Sequence, residues 1–141
     1  IETVCLRYFN VFGERQALEG AYCLVMGIFA QQLLNGEAMT ITGTGEQRRD
    51  FTYVGDVLKA NILASESSKV GNGEVINIGS GDNISINELA DLLGGDRAYV
   101  PARLESQQTL ADNTKAQELL GWKPTMSIEE WIPRYKKELG L

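Results

Sequence analysis

The sequence predicts an α/β fold, and three observations carry the prediction. Short extended apolar runs alternate with stretches whose apolar residues recur every three or four positions, helix start and stop residues stand at the borders, and no internal repeat or Pro/Gly/Ser-rich linker interrupts the alternation. Residues 1–141 are therefore expected to form a single α/β portion. A chain of this size buries roughly two thirds of its unfolded surface.

The elements follow in order. Residues 4–9 (Val-Cys-Leu-Arg-Tyr-Phe) read as a strand that starts almost at Ile1. A first strand without a neighbour leaves an unpaired edge, so further chain is expected upstream. After Gly13 and a polar loop to Gly20, residues Ala21, Leu24, Val25, Ile28, Phe29 and Leu33 mark an amphipathic helix that stops at Gly36. Residues 39–42 read as a strand, residues 43–47 as a glycine-containing loop, and residues 49–54 as a second extended run. Asp56 is expected to cap a helix over residues 57–67. Residues 74–79 form another strand, and Ser85-Ile86-Asn87-Glu88 is a capping box opening a helix that ends at Gly94-Gly95. Residues 97–101 suggest a short strand, Asp112 or Asn113 a cap for a helix ending at Gly121, and Ser127 the start of a last helix that Pro133 should kink or delay.

Composition narrows the function. The formal net charge is -6 with no block of Lys and Arg, so a phosphate backbone is repelled over most of the surface and nucleic acid is not an expected partner. No run of about 18 apolar residues and no basic-then-apolar start is present, which points to a cytoplasmic protein without a membrane partner. The absence of histidine removes the commonest general base and metal ligand and argues against a Ser-His hydrolase. No metal site is expected. Cys5 and Cys23, set among apolar residues, read as small core residues rather than a disulfide pair.

Three places offer polar chemistry. Residues 43–54 (GTGEQRRDFTYV) combine glycines that let the backbone come close to a ligand with Arg49, whose guanidinium fork matches phosphate oxygens. Asp50 is expected to steady that fork. The same residues also suit a surface hairpin with an Arg-Asp ion pair. Asn10 ends an apolar strand, where ligands of open α/β sheets lie, or else caps the turn before Gly13. Arg103, after the strand-like Tyr99-Val100-Pro101, is a further loop donor or a solvated charge.

Five segments, in order, resemble the extended short-chain dehydrogenase/reductase family, in particular its NAD-dependent sugar-nucleotide epimerases and dehydratases of the UDP-glucose 4-epimerase type. They are Leu6-Arg7-Tyr8-Phe9-Asn10-Val11-Phe12-Gly13, Arg15-Gln16, residues 43–57, Asn77-Ile78-Gly79-Ser80-Gly81, and residues 112–124 with Lys115-Ala116 and Leu120-Gly121-Trp122-Lys123-Pro124. The resemblance covers essentially the whole chain. It implies the carboxy-terminal, substrate-binding part of a Rossmann-type protein, beginning near the last Rossmann strands, with the amino-terminal NAD-binding half absent. In that family the absent half carries a Gly-x-x-Gly-x-x-Gly turn for NAD and a Tyr-x-x-x-Lys pair for proton transfer; neither motif occurs in this sequence. No catalytic residue is therefore expected here, and the isolated chain is expected to be inactive. The resemblance further implies that Asn10 contacts the substrate near its diphosphate, that Tyr8 borders the nicotinamide, that Arg49 binds phosphate, that Thr40 and Ile41 lie on the strand whose backbone meets the nucleotide base, and that Arg103 is a second arginine at the diphosphate or ribose. NAD is the implied cofactor of the whole protein, a nucleotide-sugar, chiefly a UDP-sugar, the implied ligand, and a homodimer a possible assembly.

Two departures bear on this. Arg103 is followed by Leu104-Glu105-Ser106 instead of the family's Pro-Gly-Glu or Pro-Gly-Asp, and Arg48 stands where Thr is frequent, either tuning the phosphate site or facing solvent. The competing reading is a non-catalytic nucleotide-binding sensor or scaffold of the same fold.

Overall fold

The computed structural model describes residues 1–20 and 22–141. In chain order its elements are β1 (Thr3–Tyr8), β2 (Val11–Phe12), α1 (Val25–Leu34), β3 (Met39–Thr42), β4 (Arg48–Arg49), β5 (Thr52–Tyr53), α2 (Val54–Glu66), β6 (Asn72–Ile78), β7 (Ile84–Ser85), α3 (Ile86–Leu93), β8 (Arg97–Val100), α4 (Thr114–Leu120) and α5 (Ile128–Leu139). The expected α/β alternation is present. The residues fall into two compact units, one of Ile1–Gly13, Asp50–Asn83 and Leu110–Ile128, the other of Glu14–Arg49, Ile84–Thr109 and Glu129–Leu141.

In the first unit β1 and β6 pair in parallel, from Val4 opposite Glu74 to Tyr8 opposite Ile78, and β2 pairs in parallel with β5. Strand alternation turns Ile76 and Ile78 inward, where they meet Val57, Ala60 and Ala64 of α2 and Ala116 and Leu120 of α4. Alanines on the facing turns let the helices come close to the strands. Trp122 closes this core, fully buried, with its indole N–H donating to the Asp56 carbonyl at 2.8 Å. It is delivered there by Gly121, whose left-handed backbone (φ 64°) ends α4 while the Trp122 N–H returns to Ala116 O at 3.2 Å.

Asp56 does not cap α2. The helix starts two residues earlier, and the Asp56 carboxylate, 2% exposed, accepts from Thr125 N (2.8 Å), Thr125 Oγ1 (2.6 Å) and Met126 N (3.3 Å). Three donors from one distant segment outweigh a single helix-start N–H, so the acid ties the chain after Trp122 to α2. Cys5 is exposed, not a core residue, and both cysteines are free.

In the second unit β3 and β8 pair in parallel, Met39 opposite Arg97 through Thr42 opposite Val100, and β4 pairs antiparallel with β7. Helices α1 and α3 lie against β3, and Phe29, Ala30, Met39, Ile41, Leu89 and Ala90 are fully buried. Ala21, expected to open α1, lies outside the described residues. The capping box is realised: Glu88 N donates to Ser85 Oγ at 3.0 Å and Ser85 N to Glu88 Oε2 at 2.6 Å. Such a cap is worth about 1 kcal/mol. Those contacts, the Ser85 N–H foremost, lower the Glu88 pKa below the usual carboxylate value. Helix α5 starts on schedule and runs through Pro133, so the proline does not delay it; Trp131 and Tyr135 stack on it with ring centres 4.3 Å apart.

Among the described residues no helix is long and apolar enough to cross a membrane, and no group of three or more His, Cys, Asp or Glu is placed to hold a metal.

Candidate functional site

The glycine-containing loop belongs to the second unit and is not a hairpin. Its flanking strands, β3 and β4, pair with β8 and β7 instead of with each other. The loop is seated on the start of α3, where Asn87 N donates to Gly45 O (3.0 Å), Ile86 N to Gln47 O (3.1 Å), and Asn87 Nδ2 to Thr44 O (2.9 Å) and Glu46 Oε1 (2.7 Å). Gly45 has a left-handed backbone (φ 78°), and a Cβ there would fall onto the Asn87 side chain. Glycine is required at that point for both reasons. Asn87, at the second position of α3, had no role in the sequence reading; its place next to the capping Ser85 was the available signal.

Arg49 leaves this seated loop on β4, and its side chain is only 13% exposed. Its Nη1 donates to the Arg48 carbonyl at 2.9 Å and its Nη2 to Glu105 Oε2 at 2.6 Å. The carboxylate that steadies the fork is thus Glu105, not the expected Asp50. Two of the five guanidinium N–H donors are used, and three remain without a partner among the described residues. Glu105 is held near by the segment that follows it, since Arg48 N donates to Gln107 O (2.9 Å) and Thr109 N to Arg48 O (3.0 Å).

Arg103 is 75% exposed, its Nε lying 3.6 Å from Glu105 Oε1. Arg48, partly open to solvent, pairs with Glu88 of the α3 capping box at 3.0 Å. Thr40 and Ile41 of β3 differ sharply. Met39 N and Gly43 N both donate toward β8, so by strand alternation the Ile41 backbone also faces β8, and its side chain is fully buried. Thr40 faces the other way, and there the Gln32 side chain takes its N–H at 3.0 Å and donates to its Oγ1 at 2.8 Å.

In the first unit Asn10 follows β1. Its Nδ2 donates to Asp50 O at 2.8 Å, and its carbonyl accepts from Thr52 N at 3.2 Å, so these bonds tie β1 to the start of β5, and one side-chain N–H is without a partner among the described residues. Tyr8, half exposed, donates its hydroxyl to Asn61 Oδ1 at 2.9 Å. Asp50 is fully buried. Its carboxylate accepts from Ser80 N (2.8 Å), Ser80 Oγ (2.7 Å), Gly81 N (3.0 Å) and Ala111 N (2.9 Å). That demand breaks the extended run expected over residues 49–54 into β4 and β5.

These features can be set against known proteins. The model of the NAD dependent epimerase/dehydratase family matches residues 1–79. The chain belongs to this family. Among solved structures it is similar to the UDP-glucose 4-epimerase of Thermotoga maritima with UDP-glucose, at 39% identity and a TM-score of 0.86, covering 99% of this chain and 47% of that one. It is similar also to the UDP-glucuronic acid 4-epimerase of Bacillus cereus in complex with UDP-glucuronic acid and NAD, at 33% identity and a TM-score of 0.81, covering 97% and 45%. The UDP-glucose 4-epimerase of Mycolicibacterium smegmatis is 34% identical over 132 residues, 89% of this chain and 41% of that protein. The chain spans less than half the length of these relatives. A family member of this extent presents two sets of polar residues, one around Arg49 and one around Asn10.

Proposed function

We propose that this chain supplies the nucleotide-sugar-binding part of an NAD-dependent epimerase or dehydratase, with Arg49 holding the diphosphate of a UDP-sugar. One observation carries the reading: the Arg49 side chain is only 13% exposed, and three of its donors have no partner among the described residues. A half-buried guanidinium whose unused donors stay reachable can take up an anionic ligand, and phosphate oxygens match its fork. The two solved relatives described above hold UDP-sugars.

Asn10 offers its second N–H near the end of β1, and Arg103 is an exposed second donor. The Thr40 backbone faces the open side of β3, but its N–H serves a base only if Gln32 gives way. Ile41 supports the strand without touching ligand. Tyr8 borders the nicotinamide of NAD, which supplies reversible oxidation of a sugar hydroxyl when bound. The chain's own contribution is to hold the substrate, since diphosphate binding remote from the reacting carbon positions the sugar for hydride transfer.

Calorimetric titration of the whole protein with UDP and with uridine tests this reading. UDP is expected to bind at least about a hundredfold more tightly than uridine, the size of two charge-assisted contacts of about 1.5 kcal/mol each. Equal affinities, or no binding of either, would contradict it.

A further inference from the structure

Glu105 sits between two guanidinium groups. Its Oε2 accepts from Arg49 Nη2 at 2.6 Å, and its Oε1 lies 3.6 Å from Arg103 Nε. Its side chain is 22% exposed and that of Arg49 13%, so the closer pair is much less screened than a surface salt bridge. One acid therefore occupies both arginines that the proposed function assigns to the ligand. A carboxylate and a phosphate oxygen are equivalent acceptors for a guanidinium N–H, and the Nη2 proton that points at Glu105 is not available to both.

We propose that Glu105 is a specificity-determining residue that competes with the ligand for Arg49, so that a diphosphate displaces it and a single small anion does not. The proposal rests on the reading of Arg49 as the diphosphate-binding arginine. A lone phosphate group can take the donors that Glu105 leaves, but it then lies beside the Glu105 charge, which repels it. A diphosphate presents oxygens on two phosphorus centres and can replace both contacts of Glu105 at once. The acid thus sets a negative charge beside the unused donors of Arg49, which weakens binding of a small anion and which a ligand that displaces the acid escapes.

The test measures affinities of the whole protein for UDP and for inorganic phosphate, in wild type, Glu105→Gln, Arg49→Ala and the double variant. Glutamine keeps the shape and one acceptor oxygen and removes the charge. Glu105→Gln is expected to tighten UDP about five- to twentyfold, to tighten inorganic phosphate by a larger factor, and to lose most of both gains in the Arg49→Ala background, whereas equal gains for the two ligands would overturn the specificity role. Unchanged or weaker UDP binding in Glu105→Gln, while Arg49→Ala still weakens it, would overturn the competition and leave the Arg49 reading intact. No effect of Arg49→Ala would instead overturn that reading itself. Glu105→Ala, with thermal unfolding as a check on folding, is judged by the same criterion if the glutamine variant does not fold.

Discussion

Replacing Arg49 by alanine in the whole protein is expected to weaken UDP-sugar binding about 10- to 100-fold. The estimate follows from losing one charge-assisted anchor worth about 1.5 to 3 kcal/mol, at about 1.4 kcal/mol per tenfold change. The fold should survive, because among the described residues the Arg49 side chain makes only two hydrogen bonds, one of them to its neighbour's carbonyl, and the β4 backbone pairing does not depend on it. NAD affinity should stay within about twofold, since nothing in the Arg49 surroundings belongs to a dinucleotide motif. Arg49→Lys should recover part of the loss, as it restores charge without the planar fork. Titration calorimetry with a UDP-sugar and separately with NAD reads both numbers. An unchanged UDP-sugar affinity would remove Arg49 from the site.

Asp50→Ala is expected to cost about 3 to 5 kcal/mol of stability, a large fraction of the 5 to 15 kcal/mol typical of a domain. The fully buried carboxylate satisfies three backbone N–H groups and the Ser80 hydroxyl, and alanine leaves all four without that acceptor. Unsatisfied buried donors cost about 1 to 3 kcal/mol each, offset in part because the buried charge is also gone. Function should suffer with it, because Asn10 is anchored on the Asp50 carbonyl. The contrast is Asp82→Ala, whose exposed carboxylate accepts from Asn83 N and which should change stability by no more than about 0.5 kcal/mol. Urea unfolding midpoints compare the two, and equal midpoints would show that Asp50 is not the hub the geometry makes it.

Much of this architecture could be read from the residues because the governing physics is local. The Ser85–Glu88 capping box, the Gly121 helix stop that seats Trp122, and the strands around Ile41 and Ile76 all depend on neighbours within a few positions. What could not be read was which distant donors an acid would meet. Asp56 looks like a cap from its place before an apolar periodic run, yet Thr125 and Met126, some seventy residues on, claim it. Asp50 looks like the partner of adjacent Arg49, yet it turns to Ser80, Gly81 and Ala111. Glu105 then holds the arginine from 56 residues away. Its place two residues after Arg103 carries no sign of a bridge to Arg49. The breaks in strand 49–54 have the same origin, because a tertiary demand on one carboxylate overrode a local preference for extended backbone.

The most direct measurement is a crystal structure of the whole protein with a bound UDP-sugar. The account predicts diphosphate oxygens at about 2.7 to 2.9 Å from the Arg49 guanidinium, the range of charge-assisted hydrogen bonds, with the loop of residues 43–47 still seated on α3. A diphosphate bound elsewhere, with Arg49 still closed on Glu105, would contradict it.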